Sequence, residues 1–261
     1  MKTPDMTELE AVSSLDGSRE KSLFWLPPGA RNVPLLVGLH TWSADRFNQV
    51  NDMLPFCRER GWGLLLPEFR GPNLTSNPRA PQACASQLAK QDILDALAQV
   101  LKSQPLDAKQ VFLLGGSGGG HMSLMMAAAA PKTWRAVSSW CPITDLSAWH
   151  GQNPKYAPHI AACCGGLPGG GEKIDLEYRQ RSPLTHVEKL REACLSVHHG
   201  RHDPSVPCSH TWRLAMAMEE KPSKSFFFEI FDGAHELRCE RAFHWFDSLL
   251  QSDQKTRGLT G

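Results

Sequence analysis

No stretch of this 261-residue chain stays apolar for the length that a bilayer demands, which excludes a helical membrane span. The first ten residues, Met1-Lys-Thr-Pro-Asp-Met-Thr-Glu-Leu-Glu10, lack the apolar core that a secretory leader needs. Charge of one sign is missing too: 28 Lys and Arg against 27 Asp and Glu leave a formal net charge of +1. That near-neutrality removes the electrostatic case for nucleic acid or an anionic membrane as partner, and points to a neutral or small substrate. Zinc-binding spacing is also absent. The 8 cysteines are scattered, Cys163 and Cys164 are adjacent, and no C-x-x-C pair occurs, so no metal is expected. With no leader, and with length enough to fold on a core, the thiols are expected to be free and mostly buried and the protein cytoplasmic.

What the chain does hold is ordinary globular composition, 41% hydrophobic and 21% charged, in a length that suits one α/β domain. It is organised around Val111-Phe-Leu-Leu-Gly-Gly-Ser-Gly-Gly-Gly-His-Met-Ser-Leu-Met-Met-Ala-Ala-Ala-Ala130. A short apolar run, a glycine cluster holding one serine, and an Ala- and Met-rich run predict a strand, a tight turn and a helix. Gly115-Gly116-Ser117-Gly118-Gly119 satisfies G-x-S-x-G, the pattern that forces a serine onto a strained corner with its hydroxyl exposed. Ser117 is the candidate nucleophile. A phosphate loop would need Lys after the last glycine, and His121 stands there instead. A dinucleotide fingerprint fails in each register, a required glycine being replaced by Ser117, His121 or Ser123.

The flanking chain alternates strands with helices. Asp16-Gly17 predicts a hairpin turn within residues 9–27. Residues 34–40, 61–67, 134–141, 193–199 and 225–231 read as further strands, while residues 44–60 predict a helix that Pro55 kinks or interrupts and residues 85–101 another. The expected fold is a single α/β domain over 1–261: a mostly parallel sheet wrapped on both faces, an N-terminal hairpin region at 1–33, and a small cap-like excursion over one sheet edge at 146–181.

A serine needs a base and an acid that orients that base. His235 follows the strand ending at Phe231, and Asp203 follows the strand ending at His199. Both therefore fall at C-terminal strand ends, where Ser117 also emerges and where open α/β sheets place their sites. The order Ser, Asp, His fits the serine elbow. Asp145 is the rival acid, and Asp203 is preferred because its strand lies nearer that of the histidine. The oxyanion donors are expected from the Gly118 amide and the Trp42 amide, with the Trp42 indole as a further candidate. Trp42, Trp149 and Tyr156 are expected to line the substrate pocket.

At these residues the chain resembles the α/β-hydrolase superfamily, and within it the catalytic domain of the prolyl oligopeptidase family of serine peptidases and related esterases. The resemblance covers residues 34–250 and rests on Leu39-His40, Phe69-Arg70-Gly71, the elbow, Ser182-Pro183, Gly200-x-x-Asp203-x-x-Val206-Pro207 and Gly233-Ala234-His235. It implies an α/β-hydrolase fold, nucleophile, acid and base at Ser117, Asp203 and His235, and no cofactor. Two departures matter. Trp42 stands where the peptidases carry a tyrosine, and only about thirty residues precede the first hydrolase strand, too few for the β-propeller that restricts those peptidases to peptides. The expected activity is hydrolysis of a small carboxylic ester through an acyl-enzyme, with a short peptide or aminoacyl amide as the alternative substrate and a non-catalytic receptor as the third reading.

Overall fold

A computed structural model describes residues 6–258, with side chains described through residue 252. The first five residues of the expected hairpin region, and residues 259–261, lie outside it. Eight strands form one sheet in the order β1-β2-β4-β3-β5-β6-β7-β8. They are β1 (Thr7–Val12), β2 (Arg19–Trp25), β3 (Val33–Leu39), β4 (Gly63–Pro67), β5 (Leu106–Gly116), β6 (Ala136–Trp140), β7 (Cys194–Gly200) and β8 (Ser225–Phe231). β1 and β2 form the predicted hairpin and join β4 antiparallel; from β4 to β8 every pairing is parallel.

β3, β4 and residues 111–116 of β5 are apolar because both faces of the sheet are covered there. Leu35, Val37 and Leu39 of β3 join one core cluster and Leu36 the other; on β5, Val111 and Leu113 divide in the same way from Phe112 and Leu114. One face is covered by α1 (Val50–Arg60) and α9 (Cys239–Gly258), the other by α2 (Gln87–Ser103), α3 (Gly118–Ala129), α7 (Val187–Leu190) and α8 (Ser209–Glu219). Among the described residues no helix is long and apolar enough to cross a membrane.

The structure departs from the sequence reading in two elements. α1 begins at Val50, not near residue 44, because local side chains capture the backbone of the preceding turn: Asp45 Oδ1 accepts the Phe47 N–H at 3.0 Å and Asn48 Oδ1 accepts the Thr41 N–H at 3.0 Å. Pro55 is accommodated inside that helix. Residues 146–181 are mainly helical: α4 (Leu146–Gln152), α5 (Ala157–Cys164) and α6 (Glu172–Gln180). They enclose a third apolar cluster over the C-terminal strand ends, with Trp42, Trp149, Ile160, Cys163, Tyr178 and Val206 at its centre.

Candidate active site

Ser117 stands between the end of β5 and the start of α3 with φ 57° and ψ −120°, a left-handed conformation that a β-carbon resists. Close packing enforces it. A Cβ on Gly115 would lie 2.1 Å from the Gly119 carbonyl oxygen, and one on Gly118 would lie 2.3 Å from the Trp42 nitrogen. The second figure also places the Gly118 and Trp42 backbones side by side, next to the serine. The Gly118 N–H belongs to the first turn of α3, whose leading amides have no partner within the helix and carry its positive dipole end.

Asp203 and His235 come together from the loops after β7 and β8. His235 Nδ1 lies 2.6 Å from Asp203 Oδ2, while Asp203 Oδ1 accepts the Ser205 and Val206 amides at 2.8 and 2.9 Å. The carboxylate is wholly buried. Burial alone would raise its pKa, but hydrogen bonds from His199, His235 and the Val206 amide outweigh that and hold it well below the usual carboxylate range. Asp145, the rival acid, is engaged elsewhere: it caps α4 through the Ala148 N–H at 3.0 Å and pairs with Arg213 at 3.1 Å.

Ser117, His235 and Tyr156 line one cavity of about 350 Å³. No hydrogen bond joins the Ser117 hydroxyl to a described residue, an arrangement common in ligand-free sites whose nucleophile and base tighten on substrate. Trp42 and Trp149 sit elsewhere than expected. At 2% and 1% exposure they are packed edge to face, 4.8 Å between ring centroids, inside the apolar cluster under the cap. Tyr156 stacks on Trp149 at 4.9 Å and alone of the three reaches the cavity. The Trp42 indole N–H has no partner among the described residues.

Two supporting residues escaped the sequence reading. Buried His199 brings Nε2 to 3.2 Å from Asp203 Oδ2 and shares that N–H with the Val206 carbonyl at 2.8 Å, so it braces the loop that presents the acid. Its spacing, four residues before Asp203 at the end of an apolar strand, is the signal that could have marked it. Cys141, with φ 45°, points its thiol at the Glu236 carbonyl at 3.5 Å, beside the histidine. Burial pushes that thiol up to about 12, so it stays a neutral donor. Cys141, His199 and Asp203 hold donor atoms within 4.8 Å of one another. These atoms are engaged with each other and with the two loops carrying the acid and the histidine, an arrangement that serves orientation.

The profile of the prolyl oligopeptidase family matches residues 56–251. Among curated relatives, acylamino-acid-releasing enzyme 1 of Oryza sativa subsp. japonica is 28% identical over 199 residues, 72% of this chain and 25% of that one. The human acylamino-acid-releasing enzyme is 26% identical over 194 residues, 69% of this chain and 25% of its own length. The chain thus spans about a quarter of these relatives. Among solved structures, the acylaminoacyl peptidase of Pyrococcus horikoshii superposes with a TM-score of 0.71 at 18% identity, over 90% of this chain and 38% of that one. A puromycin-hydrolyzing peptidase of Mycobacterium tuberculosis gives 0.72 at 20% identity, over 95% and 38%. The fold is that of the α/β-hydrolases.

Proposed function

The chain belongs to the prolyl oligopeptidase family, and from that premise we propose that it is a serine hydrolase cleaving short peptides or acylated aminoacyl amides through an acyl-enzyme. The relatives' names, acylamino-acid-releasing enzyme and acylaminoacyl peptidase, support an amide substrate over the small ester expected from the sequence. The observation that carries the reading is the 2.6 Å bond between Asp203 and His235, whose histidine shares a cavity with a serine on a strained elbow.

His235, held through Nδ1 by Asp203, takes the Ser117 proton at Nε2 as the hydroxyl oxygen attacks the scissile carbonyl. The tetrahedral oxyanion that forms is met by the Gly118 and Trp42 amides. His235 then gives its proton to the departing nitrogen, and water, activated by the same histidine, releases the acid. Asp203 stays ionised throughout, and its depressed pKa keeps it so across the physiological range. An N-acetylaminoacyl anilide and a p-nitrophenyl ester of the same acyl group test the choice. Turnover of both with the higher kcat/KM on the anilide is expected once intrinsic reactivity is divided out. Ester turnover alone would restore the carboxylesterase reading.

A further inference from the structure

The cavity shared by Ser117 and His235 has two unlike walls. One is the cap, where Tyr156 lies on the packed Trp149. The other runs from the start of α1 to the loop after β8 and is made by Gln49, Asp52, Glu236 and Leu237. Because the base of a serine hydrolase must hand its proton to the leaving group, that group lies against His235 and its chain neighbours. The second wall therefore faces the leaving group.

That wall offers acceptors and negative charge. Gln49 is 4% exposed, and its Nε2 donates to Asn48 Oδ1 at 3.1 Å. Asn48 Oδ1 also accepts the Thr41 N–H, so it is an acceptor and fixes which way the Gln49 amide is turned. Gln49 Oε1 is left buried with no partner among the described residues, an acceptor that a ligand N–H can meet. Asp52 lies three positions further along, on the same side of the helix start. It forms no ion pair among the described residues. Glu236 is already bound to Arg238 at 2.8 Å, so the net charge of the wall comes from Asp52.

We propose that this wall selects a leaving group carrying a cation, an alkylammonium or guanidinium, with Gln49 Oε1 accepting one of its N–H groups and Asp52 supplying the counter-charge. In a peptide this is a basic residue immediately after the cleaved bond. The assignment rests on Ser117 and His235 being the reacting pair.

Three substrates that share one acyl group test it: N-acetylalanyl-lysinamide, the uncharged norleucinamide and the glutamic acid amide, each followed at low salt and at about 0.5 M NaCl. The lysine substrate is expected to exceed norleucine in kcat/KM by about fivefold or more, to exceed the acidic one by a wider margin, and to lose much of that advantage in high salt. Asp52→Asn should bring the lysine-to-norleucine ratio close to one, and Gln49→Leu should lower it several-fold. Fluorophosphonate labelling of Ser117 is measured in parallel on each variant. Turnover of lysine and norleucine substrates at equal rates overturns the cation assignment alone, as does a preference that Asp52→Asn leaves intact. Cleavage of none of the three overturns it as well, and labelling then separates the cases: Ser117 labelled keeps the serine-hydrolase reading, Ser117 unlabelled on a folded sample removes that too.

Discussion

Asp203 receives hydrogen bonds from two histidines and two backbone amides, and this concentration of donors is what the site depends on at the scale of single residues. Asp203→Asn should keep the shape but release the tautomer of His235, lowering kcat by about 10⁴ with little change in KM. Ser117→Ala removes the attacking oxygen and should lower kcat by several orders of magnitude while thermal unfolding stays near that of the parent, as calorimetry would show. Gly118→Ala tests the oxyanion donors. Its Cβ would lie 2.3 Å from the Trp42 nitrogen, so the two backbones must part, and a loss of about 10² or more in kcat is expected without loss of the fold. Ser117, Asp203 and His235 were legible as candidates because each sits in a pattern with few physical solutions: glycines around one serine, and an acid and a histidine in the short loops that follow strands. Cys141 was not legible, since a buried cysteine at a strand end is in most chains only core, and His199 carried no signal but its spacing from Asp203.

Among the elements, β5 and α3 follow from local sequence alone, because no other arrangement accommodates that run of glycines between apolar segments. The cap does not. Its helices span 7, 8 and 9 residues, too short to stand by themselves in water, and they exist because Trp42, Trp149, Tyr178 and Val206 give them a common core. Trp149 is central, stacked on Tyr156 and donating its indole N–H to the Ser205 carbonyl at 3.0 Å, two residues from Asp203. Trp149→Ala should therefore cost about 3–5 kcal/mol in denaturant unfolding, and it should also reduce kcat through the displaced acid loop. The hairpin is tied to the sheet differently. The buried guanidinium of Arg70 binds Asp92, equally buried, and reaches Asp16 in the hairpin turn at 2.8 Å. Arg70→Met leaves the Asp92 carboxylate buried without its counter-ion, and a loss of about 3–5 kcal/mol is expected.

For the whole molecule, the sheet order brings the ends of β3, β5, β7 and β8 to one edge, where the loop carrying Trp42, then Ser117, Asp203 and His235 emerge in turn. Alternating apolar runs announced a mostly parallel sheet, not its strand order; the placement of the excursion over the edge depended on contacts far apart in sequence and was readable only in outline. The same burial makes stability sensitive to acid. His121, His198 and His210 are buried, and desolvation lowers each to about 4, outweighing for His198 the attraction of Glu229. Between the ordinary histidine value of about 6.5 and that lower value the unfolded chain binds more protons, so stability is intact near neutral pH and falls as pH drops from about 6.5 toward 4. Urea midpoints should decline across that window, and His198→Phe should flatten the slope. The central claim remains that Ser117 is a nucleophile activated by His235. Intact-mass measurement after fluorophosphonate treatment, with the adduct mapped by peptide, tests it most directly. One adduct per chain, on Ser117, and greatly slowed labelling in His235→Ala are predicted; an adduct elsewhere, or none on folded protein, would contradict the account.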